Sequence, residues 1–441
     1  MHQIREKKLA FSFAALTRWS GRLGLTFSDQ LIFSLSNFIL NMILTRWMPA
    51  VEYGAYSLGF SIYLFFLSVP SSLIWEPMAV LGVRKQEDEQ PGYFQKLLVY
   101  QTAVALALSL PLVAAAFFFY GREAAAVRSA ALALPFLALI WFSRQICYYR
   151  TAPGEALRVS SVYFILQMAG VVLLFLSDRL SVPAVFAWTS FSSLAAFLFG
   201  WKRRGLLSGL YFSLAGLRDP GDLHTHWTYG KWMMVAGLAN GIMTLSVIPL
   251  LTLFTDLESV AAFKAMQNFV TPLQQALAAL SLVMLPVTAR YIQQAGGRLS
   301  SRQVGLALLA ASLVSAVYLL ILVFWGRDLI RLLYNQPFYL DYVWLLILLG
   351  ASTSITALGY VFRILLRAMN RPESIFWSKA VPAVFVLVVG IILISRYGLA
   401  GAGITVLISM SLESLTLFVF YIRNSRKQVM EMGKPSIPEA M

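Results

Sequence analysis

The chain has 441 residues, of which 59% are hydrophobic and only 12% charged, with a mean hydropathy of +0.71. A soluble domain carries roughly a quarter charged residues, so too little polar material is present to coat a buried core; lipid must be the solvent, and a soluble globular protein is excluded. The net charge of +15 then reflects Lys and Arg flanking the membrane, not a nucleic-acid partner, and the single cysteine, Cys147, excludes an intrachain disulfide or a cysteine metal site.

The N-terminus, 1–24, has basic residues but no apolar core followed by a cleavage site, so it reads as an amphipathic or loose lead-in, not a removable leader. Twelve apolar runs follow, each long enough to cross a bilayer: 25–46, 55–82, 97–119, 124–147, 160–177, 182–201, 231–254, 259–286, 303–325, 342–364, 375–395 and 399–422. Lys and Arg favour the N-terminus, the even-to-odd connections and the C-terminus by roughly four to one over the opposite side. This places both termini in the cytoplasm. The expected organisation is an all-α integral membrane protein. It has an N-terminal six-helix lobe at 1–201, a cytoplasmic linker at 202–230, a C-terminal six-helix lobe at 231–422 and a cytoplasmic tail at 423–441. The linker opens Lys202-Arg203-Arg204 before an apolar stretch, suited to an amphipathic helix on the inner leaflet. Aromatic residues near helix ends, among them Tyr53, Trp201, Trp227 and Trp232, fit an interfacial belt.

The halves repeat. RQICYYRTAP begins at Arg144 and RILLRAMNRP at Arg363; each places proline nine residues after the arginine, at the cytoplasmic end of the fourth helix of its half. Glu76-Pro77 and Leu285-Pro286 match in the second helices, and Asn37 and Asn240 in the first. Six helices return the chain to its starting side, so the repeat is parallel, 6+6, and suggests two lobes facing a cleft.

No nucleotide-binding, zinc-protease or serine-hydrolase motif occurs, so an enzyme is not expected, and neither is a cofactor. Gly398-Leu-Ala-Gly401-Ala-Gly403 opens a membrane helix and reads as close helix packing. His224 and His226 lack a third ligand and read as a solvated pair at the membrane surface. Charges inside the spans are costly and usually functional. Arg144 and Arg363 either snorkel to the headgroups or turn inward to hold an anion with their forked donors. Lys264, Lys379 and Arg367, with Arg150 and Arg371 nearby, can extend such a basic site. Asp29, Glu76 and Glu413 are either carriers of a coupling proton or sodium ion, or buried partners for an arginine.

The stretches Asp29-Gln-Leu-Ile-Phe-Ser-Leu-Ser-Asn-Phe, Leu44-Thr-Arg-Trp-Met-Pro-Ala-Val-Glu-Tyr-Gly-Ala-Tyr and Glu76-Pro-Met resemble the opening of polysaccharide-biosynthesis flippases. These belong to the multidrug/oligosaccharidyl-lipid/polysaccharide exporter superfamily, which is MATE-like in fold. Arg363 to Pro372 and Tyr397-Gly-Leu-Ala-Gly-Ala-Gly resemble its second lobe. The resemblance implies a multi-pass cell-membrane protein working by alternating access as a monomer. The implied cargo is a polyprenyl-diphosphate-linked oligosaccharide, carried from the cytoplasmic to the outer leaflet alongside glycosyltransferases and a glycan polymerase. It gives Arg144, Arg363, Lys264 and Lys379 a shared role around the diphosphate. Two other readings compete. A cation-coupled multidrug exporter would need acidic residues in an apolar cleft. A polytopic glycan polymerase or ligase would need a large charged outer loop, for which the longest candidate is 326–341.

Overall fold

The computed structural model describes the backbone of residues 2–82, 89–203, 221–294 and 301–432, and the side chains of 24–82, 89–202, 221–281, 284–285, 287–292 and 302–425. Every regular element among these residues is helical. This follows from the solvent, because inside a bilayer a helix satisfies its own backbone polar groups. The N-terminal half contains α1 (His2–Trp47), α2 (Ala50–Leu81), α3 (Gln90–Phe118), α4 (Gly121–Tyr149), α5 (Pro153–Leu176) and α6 (Val182–Arg203). The second half begins with α7, which joins Gly221–Leu245 to Val247–Phe254 through a 49° bend, then α8 (Leu257–Gln294), α9 (Ser301–Tyr334) and α10 (Val343–Ala368). It ends with α11 (372–397) and α12 (399–432), separated at Gly398.

Each of the twelve apolar runs thus lies on one of these helices. Nine helical stretches among the described residues are long and apolar enough to span a bilayer, ten with the bent α7. The 54-residue stretch Pro372–Ser425 counts once there but holds both α11 and α12.

Several helices exceed the expected runs, for local reasons. α5 and α11 begin at Pro153 and Pro372, where the missing N–H costs nothing in the first turn. Backbone helix reaches back to His2, so the supposed lead-in continues α1. α9 carries on to Tyr334 and a 3₁₀ turn occupies Pro337–Tyr342, leaving Asn335 and Gln336 as the connection. Most of the outer connection read over 326–341 is therefore helical. The expected linker is described only at 202–203 and 221–230; the latter are the first turns of α7, and most of the proposed amphipathic segment lies outside the described residues.

The chain forms two compact units, Met1–Gly237 and Leu238–Met441, dividing within α7. In the first, α4 is the hub, packing on α2, α3, α5 and α6; in the second, α10 packs on α8, α9 and α12. The first turns of α7 belong to the N-terminal unit. His226 is buried there, bonded to the Tyr93 hydroxyl at 2.8 Å and the Leu73 carbonyl at 3.2 Å, whereas His224 is exposed. This corrects the solvated-pair reading: a neutral imidazole with one donor and one acceptor partner can be buried at little cost. Tyr53 and Trp201 are likewise fully buried, so they belong to the core and not to an interfacial belt; Trp227 and Trp232 are exposed.

The repeat is written in the backbone. α4 ends with Thr151 in the left-handed region (φ 52), with Thr151 N–H bonded to Tyr148 O and Ala152 N–H to Cys147 O. α10 ends with Asn370 at φ 55 and the same two bonds, Asn370 to Arg367 and Arg371 to Leu366. Both are Schellman caps followed by proline. The halves match at an offset of 219 residues, as 144 pairs with 363 and 153 with 372. α5 ends at Asp178 (φ 53), but α11 ends at Gly398, one residue beyond that offset. The π turn Val386–Gly390 in α11 supplies the extra residue.

Gly398 adopts φ 53, ψ −126, a conformation that a side chain opposes, unlike the ordinary left-handed region. Just beyond it, Gly401 lies so close to the Leu393 carbonyl that a Cβ would collide with backbone. The packing reading of this glycine run therefore holds. Gly398→Ala is expected to cost about 1–3 kcal/mol, and Gly401→Val more, as lowered thermal unfolding temperatures of the detergent-purified protein. Unchanged unfolding in both would contradict the tight α11–α12 turn.

Candidate functional site

The two matched arginines occupy different electrostatic environments. Arg144, on α4, is 1% exposed. Its Nη2 donates to Asp29 Oδ2 on α1 at 2.8 Å and to Gln30 Oε1 at 3.2 Å. Tyr148 and Ser160 donate hydroxyl hydrogens to the two oxygens of Asp29, which is itself fully buried. The guanidinium lies 3.8 Å from the centre of the Phe33 ring and 5.2 Å from that of Trp141. One cation thus meets one carboxylate, and two hydroxyls saturate the carboxylate. Such a cluster is neutral and enclosed, and its carboxylate is fully hydrogen-bonded, which favours tolerance of buried charge, although Arg144 Nε is buried without a hydrogen-bond partner.

In the second unit, Arg363 Nη2 and Lys379 Nζ converge on the same oxygen of Glu413, Oε1; the lysine is at 2.6 Å. Arg363 rests over the Tyr360 ring, 4.2 Å from its centre. Arg367, one helical turn further on α10, is exposed. The side chains of Arg363, Lys379 and Glu413 are 11%, 16% and 2% exposed, so two largely buried cations share one carboxylate. Arg363 Nε is buried without a hydrogen-bond partner.

The repeat register explains how this difference arose. At an offset of 219, Ser160 matches Lys379 and Tyr148 matches Arg367; after the π turn the offset is 220, and Ser193 matches Glu413. The first unit therefore has hydroxyls where the second has charges, and takes its acid from α1 instead of its last helix. Residue-by-residue inspection missed Tyr148, Ser160 and Tyr360. The offset from Arg144–Pro153 to Arg363–Pro372 was the available signal for Ser160, but a serine in an apolar helix draws no notice by itself.

The remaining candidates lie elsewhere. Lys264 is 9% exposed on α8, with its Nζ donating to Gln267 Oε1 at 3.2 Å; it sits about 13 Å along the helix from Leu273. Glu76 follows the π turn Ser71–Trp75 in α2, is partly buried and makes no ion pair among the described residues. The structure therefore gathers Arg363, Lys379 and Glu413 in the second unit and pairs Arg144 with Asp29 in the first.

No family model and no curated protein matches the sequence. Solved structures do match the fold. A multidrug resistance MATE family transporter of the MOP superfamily, in its inward-facing conformation, superposes with a TM-score of 0.75 at 12% identity, over 91% of this chain and 96% of that one. The lipid II flippase MurJ, in an inward closed conformation, gives 0.69 at 14% identity, over 92% and 90%. The outward-facing MATE transporter gives 0.61 at 13%, over 92% and 95%. The chain is a multi-pass α-helical membrane protein. Its particular architecture is the twelve-helix MATE-like fold, which a drug transporter and a lipid flippase share.

Proposed function

We propose that this protein is a flippase for an anionic lipid-linked glycan precursor, a polyprenyl-diphosphate oligosaccharide, which it carries from the cytoplasmic to the outer leaflet of the cell membrane by alternating access. The observation that carries this reading is the buried convergence of Arg363 and Lys379 on one oxygen of Glu413, with Arg367 beside them. Glu413 occupies these cations in the absence of cargo. A diphosphate offers more acceptor oxygens and more charge, and so displaces the carboxylate. The released Glu413 is then free to take up a proton or sodium ion, which couples an ion gradient to the return step. Arg144 plays a different part in this scheme. Its charge is spent on Asp29, and the pair braces α1, α4 and α5. Glu76, without an ion-pair partner among the described residues, is the second candidate for coupling.

The exchange predicts an unusual result for Glu413→Gln. Removing the internal competitor should tighten inorganic diphosphate binding to the purified protein about tenfold, seen as a larger diphosphate-dependent rise in unfolding temperature than in wild type. Transport should slow, because release then lacks its competitor. If diphosphate stabilises neither protein, the cluster does not hold an anion.

Multidrug export is the second reading, favoured by the likeness to MATE transporters. Two cations around one acid oppose a cationic drug there. Ethidium efflux from cells expressing the protein separates the readings, and efflux that survives loss of both Arg363 and Lys379 would favour the drug exporter.

A further inference from the structure

α8 and α9 are consecutive and both pack along α10, yet their backbones approach each other hardly at all. Consecutive helices usually lie side by side. Toward one end they are tied, where the Tyr318 hydroxyl donates to the Phe269 carbonyl and the Tyr334 hydroxyl donates to the Ala265 carbonyl at 2.7 Å. Beyond Tyr318 the pair opens like a fork, leaving a cavity of about 290 Å³ within the C-terminal unit. It runs from Leu273 to Thr288 along α8, about 22 Å at 1.5 Å per residue. Small side chains, Ala307 and Ala311 on α9 and Ala357 on α10, create the space, and the walls are almost wholly apolar. Tyr360 is shared. It lines the cavity, and its ring carries the Arg363 guanidinium 4.2 Å from its centre.

We infer that this cavity holds the isoprenoid chain of the lipid-linked substrate, with Tyr360 as the junction between chain and phosphate. The inference rests on the anionic-lipid reading of the Arg363 cluster and adds where the chain goes. An apolar slot lined by the same tyrosine ring that carries a buried guanidinium matches a molecule with a long apolar chain and an anionic head. The slot is a single channel among three helices, which suits one polyprenyl chain better than the paired tails of a bilayer phospholipid.

The test measures ligand-dependent unfolding temperatures of the full chain in detergent. The probes are geranyl, geranylgeranyl and longer polyprenyl phosphates, phosphatidylglycerol and inorganic diphosphate. Stabilisation of wild type should grow with each added isoprene unit and then level off as the slot fills. Ala311→Phe, which fills the slot, should weaken the long-chain phosphates about tenfold and leave inorganic diphosphate unchanged. Stabilisation independent of chain length overturns the inference, even if diphosphate still binds and the cluster reading stands. Equal stabilisation by phosphatidylglycerol also overturns it, and makes the slot a site for bilayer lipid. If Ala311→Phe does not fold, the chain-length series on wild type decides alone. A transport failure with chain binding intact would instead count against the flippase reading and leave this one in place.

Discussion

Asp29→Ala is expected to be among the most destabilising single substitutions in this protein, at about 3–5 kcal/mol. The reason is what it leaves behind. Arg144 is 1% exposed, beneath Phe33, and its counter-charge comes from Asp29 at 2.8 Å. Truncating the acid strands a guanidinium in an apolar environment and also removes the acceptor for Tyr148 and Ser160. The measurement is the unfolding temperature and the yield of monodisperse protein in detergent. The double variant Asp29→Leu with Arg144→Met should recover much of the loss, because two apolar residues of similar volume replace the pair without leaving a lone charge. It should also retain transport. A double variant that is stable but inactive would return Arg144 to the cargo site, the role first suggested by its position in the repeat.

Arg363→Ala should behave in the opposite way, with a modest stability loss and a large functional one. Lys379 remains to neutralise Glu413, so no carboxylate is stranded. What disappears is the forked donor that faces cargo. Hydrogen bonds to charged groups contribute about 1.5–3 kcal/mol, so transport should fall roughly 10- to 100-fold. Arg363→Lys should recover only part, since an ammonium supplies charge without the planar pair of donors. The readout is surface glycan in cells that depend on this protein, normalised to the amount in the membrane. Full export by Arg363→Ala would remove the cluster from the mechanism.

The membrane character, the twelve helices and the repeat were legible in the sequence because each is a periodic or compositional property. The sites were legible only as a set of costly charges. Which charges would meet was not, because pairing depends on register and helix neighbours. Asp29 finds Arg144 across 115 residues, through the packing of α1 against α4 and α5. Glu413 meets Arg363 on a helix whose register the π turn has moved by one residue. Tyr53, Trp201 and His226 were misplaced for a related reason. An amphipathic side chain serves equally at an interface or in a core, where the polar atoms of Tyr53 and His226 find partners and Trp201 is held by its apolar ring, and composition does not distinguish the two.

In the proposed mechanism, the buried, incompletely neutralised cations of the C-terminal unit receive an anionic lipid head. The direct measurement is flipping of a fluorescent polyprenyl-diphosphate sugar in vesicles containing the purified protein, scored by access of a membrane-impermeant quencher. Wild type should flip it. Arg363→Ala combined with Lys379→Ala and Glu413→Gln, which leaves no buried carboxylate unpaired, should not, although it stays folded in the same vesicles. The Asp29→Leu, Arg144→Met protein should still flip it. Equal flipping by wild type and by the protein lacking Arg363 and Lys379 would contradict the central claim.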